Sequence, residues 1–354
     1  MRIRRNLLIT AVTVAGLLGS NAFAEPSENF KVFLCFGQSN IAGGAGCGII
    51  DSFKQTTDRV LAFAFNDCGN PSWQKDTWVP AREPLHCGDG GSGNSTMGPC
   101  YVFGKIMADS LPDDTIGIIP CGQSGVNIEV FKKGGGGCTA NWCTPYPGGN
   151  VYNWMLNKCK KAVERGVFAG ILLHQGESNS NDGDTWLDKV KGIYDDLKED
   201  IPLEEDIPIV AGQLLGDKTL NTSIAKMSTK FTYGYYASSS GLVGGGDYRD
   251  LHFDTTGYVK MGERYAVEMM KGLHAANLIT GTRPESRKRI VSSVSADVSS
   301  NNTAVYTLNG RLVSSGSQLL KNRSSMQPGN MYVVANKSTG KRAAAKLMIA
   351  PTGR

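Results

Sequence analysis

The 354-residue sequence has nine cysteines but no Cys-x-x-Cys pair, which argues against a zinc knuckle or a thioredoxin-type redox site. It has no complete Gly-x-Ser-x-Gly, the strained elbow that presents the nucleophile in α/β-hydrolases. Only four histidines are available as a general base. Beyond the amino terminus no stretch is apolar enough to span a bilayer. The 44 glycines follow no three-residue period, which excludes a collagen-like chain. What is present is ordinary for a globular protein: 40% hydrophobic and 19% charged residues, enough to bury a sizeable core.

The net charge of +5 hides an asymmetry. Residues 283–354 carry twelve Lys/Arg against Glu285 and Asp297, a charge of +10, and residues 25–282 carry −8. An acidic body excludes whole-protein nucleic-acid binding; the basic tail is a separate question. Arg2, Arg4 and Arg5 precede the apolar stretch Leu7–Leu18, which is too short to cross a membrane, and Ala22-Phe23-Ala24 supplies a small-x-small cleavage pattern. Residues 1–24 therefore read as a secretion signal, with no transmembrane segment left after cleavage. Secretion makes disulfides permissible, and an odd cysteine count leaves at least one thiol unpaired. Cys138 and Cys143 flank a short loop suited to a local bridge, whereas Cys35 and Cys121 sit in apolar runs suited to burial.

Strand-like and helix-like stretches alternate through residues 25–282. Lys31–Phe36, Val60–Phe65, Thr115–Pro120, Phe168–Leu173 and Ile207–Leu214 read as strands. Tyr101–Ser110, Val151–Arg165, Thr185–Asp200 and Thr256–His274 read as helices. The alternation predicts an α/β fold with a parallel sheet covered on both faces, whose sites gather outside the carboxyl ends of the strands. Polar clusters follow Phe36, Pro120 and Leu173, at those ends. Residues 283–290 form a charged linker. Residues 291–354 read as a small β-rich domain with short strands at Thr303–Leu308, Arg311–Ser314, Met331–Ala335 and Ala344–Ile349, expected to form a sandwich.

Ser39 follows a strand in the sharp turn Gly37-Gln38-Ser39-Asn40, a position that exposes a hydroxyl at the sheet edge beside backbone N–H groups. The same position suits a helix-capping serine. A serine nucleophile needs a base. His86 lies in a Cys/Gly-rich insertion, His274 on the last helix, and His174 at the end of an apolar strand, where a core imidazole is expected. His252, between a glycine-rich loop and the closing helix, is the base by elimination.

These residues carry a resemblance. Gly37-Gln38-Ser39-Asn40, Pro120–Phe131, His174-Gln175-Gly176-Glu177-Ser178-Asn179 and Leu251-His252-Phe253 follow the order and spacing of the SGNH hydrolase superfamily. Within it they resemble carbohydrate esterase family six and its sialate-O-acetylesterase-like relatives, over about residues 30–275. The resemblance implies a three-layer, flavodoxin-like α/β fold and secreted hydrolysis of O-acetyl groups on plant polysaccharide, typically acetylxylan. Sialate or other short-chain O-acetyl esters are the alternative. It also implies Ser39 as nucleophile and His252 as base, with oxyanion donors from Ser39 N–H, Gly125 N–H and the Gln175 side chain. No metal or organic cofactor enters such a mechanism.

Two positions depart from the pattern. Relatives commonly have Asp three residues before the catalytic His, where this chain has Arg249, which offers only donors. Glu177 is the expected orienting carboxylate, with Asp250 or Asp247 as alternatives. Ser124, where relatives often have glycine, is either a second candidate nucleophile or a turn-stabilising hydroxyl. Arg249 keeps open a third reading, a carbohydrate-binding surface protein whose esterase site has decayed. Trp142 and Tyr146 are candidates for stacking on a sugar ring. The carboxy-terminal region resembles, less specifically, sorting or basic terminal domains of secreted bacterial polysaccharide-degrading enzymes. That resemblance implies a secreted or surface-attached bacterial protein, held on acidic polysaccharide through residues 283–354.

Overall fold

The computed structural model describes residues 26–44, 47–69, 72–87, 96–135, 150–201, 203, 205–279 and four strand segments between 303 and 346. The expected signal segment, the linker, the Cys138–Cys143 bridge, Trp142 and Tyr146 lie outside the described residues.

The central strand, β1 (Ser27–Gly37), shows why a parallel sheet forms. Its residues alternate between two separate cores: Val32, Leu34 and Phe36 enter one, Phe33 and Cys35 the other. A strand apolar on both faces is stable only when both faces are covered. The other strands are β2 (Val60–Phe63), the two-residue β3 (Cys68–Gly69) and β4 (Ser72–Trp73), β5 (Trp78–Pro80), β6 (Thr115–Gly122), β7 (Gly166–His174), β8 (Ile209–Gly212) and β9 (Gly234–Ala237). Seven of them form one sheet in the order β5-β2-β6-β1-β7-β8-β9. All neighbours are parallel except β5, which pairs antiparallel with β2.

The chain leaves β1 for β2, returns through β6, then crosses to β7 on the other side of β1. Strand order therefore reverses at β1, and the crevice at its carboxyl end is where ligands bind in open α/β sheets.

A short helix, α1 (Ser39–Ala42), follows β1. On one face, α3 (Val151–Val163) and α4 (Thr185–Asp200) pack Trp154, Met155, Trp186, Val190 and Ile193 against the sheet. On the other, α2 (Cys100–Ser110) and α6 (Thr255–Ala275) contribute Phe103, Met107, Met261, Tyr265 and Met269. A five-residue α5 (Leu220–Ile224) precedes β9. The three-layer α/β expectation holds, and the long helices fall within two residues of their expected bounds. Among the described residues no helix is long and apolar enough to cross a membrane. Cys35 and Cys121 are buried free thiols, as are Cys47, Cys100 and Cys159, while Cys87 is disulfide-bonded.

The carboxy-terminal strands β10 (Thr303–Thr307), β11 (Leu312–Ser315), β12 (Met331–Asn336) and β13 (Arg342–Lys346) pair antiparallel in the order β11-β10-β12-β13. Among the described residues of this region they make one four-stranded sheet.

Candidate active site

Register brings the expected site together. Gly37, the last residue of β1, lies opposite both Gly122 of β6 and His174 of β7, so three strands end in one layer. The ladder continues one step further: Gln38 N–H donates to His174 O at 2.9 Å and Gln123 N–H to Gly37 O at 2.8 Å. Gly37 has φ +137°, and a Cβ there would stand 2.1 Å from the His174 carbonyl. Only glycine fits this turn out of the sheet.

Two residues later, Ser39 opens α1, where first-turn amides have no intrahelical acceptor. Its Oγ lies 2.8 Å from His252 Nε2. These two residues are 213 apart in sequence. The histidine arrives through a glycine-dependent loop. Gly244 bridges Phe253, and a Cβ on Gly244 would stand 1.6 Å from the Arg249 carbonyl. Asp254 then caps α6, accepting from Gly257 N–H at 2.6 Å. Gly44 packs so closely on the imidazole that a Cβ would reach His252 Cβ at 2.6 Å. Tyr248, 57% exposed, covers the ring edge at 5.5 Å between centroids. Burial holds the His252 pKa below the ordinary imidazole range, because it penalises the charged form. With a proton on Nδ1, a neutral His252 can accept a hydrogen bond from the serine hydroxyl through Nε2.

The two sequence blocks are laced to each other by side-chain amides. Gln38 Oε1 accepts from Gln175 Nε2 at 3.2 Å and from the N–H groups of Gly176 and Ser178 at 3.3 Å. Asn179 reaches the third segment, accepting from Ile128 N–H at 2.8 Å. Asn40, whose importance the sequence reading missed, binds Glu177 Oε1 and the Leu251 carbonyl through Nδ2, at 2.5 and 2.9 Å. Its Oδ1 accepts from Phe253 N–H at 3.4 Å and from the Tyr258 hydroxyl at 2.8 Å. The signal was its place inside Gly-Gln-Ser-Asn; the partners lie too far along the chain to be read.

Two residues with expected roles have other partners in the structure. Glu177 makes no hydrogen bond to His252: its Oε1 accepts from Asn40, its Oε2 has no hydrogen bond, and neither does His252 Nδ1 among the described residues. Glu177 opens a 3-10 turn after Gly176 (φ +151°), and burial raises its pKa. The imidazole nearest it is His174, with Nε2 at 3.7 Å from Glu177 Oε1. His174 is the expected core residue, fully buried, bonded through Nδ1 to the Tyr265 hydroxyl at 2.9 Å and pushed down to about 3 by burial. Asp250 and Arg249 are exposed, and the Asp247 side chain lies outside the described residues.

The second is Gln175. Its Nε2 donates to Asn179 Oδ1 at 2.5 Å and its Oε1 accepts from the Trp186 indole at 2.7 Å. A fully buried amide committed on both sides ties β7 to α4. Gly125 does sit exposed beyond β6 at φ +68°, with Ser124 buried beside it. Among the described residues no cluster of three His, Cys, Asp or Glu side chains suits a metal ion.

Known proteins agree with this architecture. The family model described as carbohydrate esterase, sialic acid-specific acetylesterase, matches residues 29–271. A solved protein from Arabidopsis thaliana is similar at 19% identity and TM-score 0.55, over 68% of this chain and 98% of its own. The solved structure of NanS is similar at 14% identity and TM-score 0.56, over 70% of this chain and 98% of its own. At those identities the structures speak for the fold alone. The family match spans more than half of the sequence and includes Ser39, Asn40, Glu177 and His252: the chain belongs to the carbohydrate esterase family of sialic acid-specific acetylesterases.

Proposed function

We propose that the protein is a serine O-acetylesterase acting on acetylated carbohydrate through an acetyl-enzyme. The observation that carries this reading is the 2.8 Å contact of Ser39 Oγ with His252 Nε2 at the strand-order reversal. His252 Nε2 takes the hydroxyl proton as Oγ attacks the acetyl carbonyl. The N–H groups of Ser39 and Gly125 are the donors proposed for the resulting oxyanion. Collapse breaks the bond to the sugar oxygen, which receives the proton from His252. Water, deprotonated by the same imidazole, then attacks the acetyl group and releases acetate and free Ser39.

Two substrates compete. The body charge of −8 disfavours an anionic sugar at long range and leaves neutral acetylated xylan unaffected. The description of the matching family favours acetylated sialic acid. Acetate release is to be measured on acetylated xylan, O-acetylated sialic acid and 4-nitrophenyl acetate, with Ser39→Ala as control. Turnover on one sugar and its loss in Ser39→Ala support the reading. Turnover by Ser39→Ala at the parental rate refutes the nucleophile, and binding of the sugars without hydrolysis makes the protein a lectin-like descendant. We also propose export through residues 1–24 and attachment to acidic surfaces through residues 283–354; their support is the sequence pattern and the +10 charge.

A further inference from the structure

We propose that Asn40, braced by Glu177, is the positioning residue for His252, which it holds through the backbone on either side of the base rather than through a carboxylate on the imidazole. The inference rests on the serine esterase reading and deepens it. An amide side chain offers two N–H donors and one oxygen with two lone pairs. Asn40 uses all four. Both donors go to acceptors, Glu177 Oε1 and the Leu251 carbonyl; both lone pairs receive donors, Phe253 N–H and the Tyr258 hydroxyl.

Leu251 and Phe253 are the two neighbours of His252. The amide therefore grips the backbone on either side of the base, while the adjacent Ser39 meets its ring. Nucleophile and clamp share consecutive residues, so a shift of one moves the other. Glu177 fixes which way the amide points: a flipped Asn40 would turn its oxygen toward the Glu177 oxygen and the Leu251 carbonyl. Asn40 is fully buried, so water does not compete for these bonds.

The arrangement predicts a pattern opposite to that of a direct Glu–His pair. In the full-length protein, with 4-nitrophenyl acetate as probe, Glu177→Gln is expected to keep kcat within about 10-fold of the parent, because the new amide oxygen still accepts from Asn40. The acid limb of kcat/KM stays in place, since Glu177 makes no bond to the imidazole. Asn40→Asp is expected to lower kcat about 10²-fold with little change in KM, as a misplaced base does. Combining Asn40→Asp with Glu177→Gln exchanges donor and acceptor across the pair and is expected to recover about 10-fold of that loss. A fall of about 10⁴ in Glu177→Gln, the loss known for a carboxylate that fixes the tautomer, together with a displaced acid limb, overturns the proposal in favour of direct contact. No recovery in the double variant overturns the pairing. If Asn40→Asp does not fold, the Glu177→Gln profile decides alone. Undiminished turnover by Ser39→Ala would instead remove the esterase reading itself.

Discussion

At the residue scale, burial decides the protonation of the groups that matter. His252 is shielded enough that its charged form is penalised, so its pKa lies below the ordinary value near ~6.5. A catalytic base, the role proposed for His252, must be neutral. The acid limb of kcat/KM is therefore expected below pH ~6.5, with activity falling only as pH drops through that lowered pKa. A limb above pH 7 in a rate–pH profile would contradict the burial argument.

Glu83 shows the same effect with opposite sign. It is buried, one oxygen accepts from Leu85 N–H at 2.9 Å, and the other has no hydrogen bond. Desolvation raises its pKa to about 8. A carboxyl that binds its proton more tightly when folded adds stability below its unfolded pKa, and that stability is lost as pH rises to about 8. Glu83→Gln is expected to gain on the parent in thermal stability between pH 5 and 8. Melting curves at the two pH values test this; a constant difference would mean that Glu83 is charged in the fold.

Among the elements, α6 matters most for placing the base. The Asp254 side chain caps its first turn, and Asp254 N–H donates to Val243 O at 3.0 Å. Asp254, two residues after His252, is thus held through both its side chain and its backbone N–H. Asp254→Ala is expected to cost about 1 kcal/mol, and Asp254→Ser to restore most of it. Denaturant titration of the three proteins measures the difference; equal midpoints would deny the cap its role. Legibility also varied by element. The long amphipathic helices stood out because each presents an apolar stripe at 3.6-residue spacing. The edge strands β5 and β9 did not. Trp78-Val79-Pro80 is too short to show a period, and Gly234-Tyr235-Tyr236-Ala237 is half exposed at its centre.

For the whole molecule, the charge division separates two tasks. Every proposed catalytic residue precedes residue 283, and the family match ends at residue 271. Removal of residues 283–354 is expected to leave hydrolysis of soluble esters unchanged. It should abolish retention on an anionic polysaccharide such as polygalacturonate, and retention of the full chain should weaken with salt as the +10 charge is screened. Co-sedimentation at low and high ionic strength distinguishes the cases. Equal, salt-insensitive retention of both forms would free the tail of this role.

The sequence by itself determined the sheet and the neighbourhood of the site. Apolar runs of strand length alternate with amphipathic helices, and local polar turns mark the strand ends; both signals are contained in short windows. It also singled out Ser39 and His252, since a nucleophile in a turn and a process of elimination among four histidines need no coordinates. Partnership was another matter. Whether Glu177 meets His252 or Asn40 depends on side-chain direction after Gly176, which has a positive φ, and whether Gln175 faces the cleft or Trp186 depends on how α4 packs against the end of β7. The contact of Asn40 with Leu251 spans 211 residues. Only the packed sheet, with β1 ending between β6 and β7, brings such distant groups within hydrogen-bonding distance and decides which atoms pair.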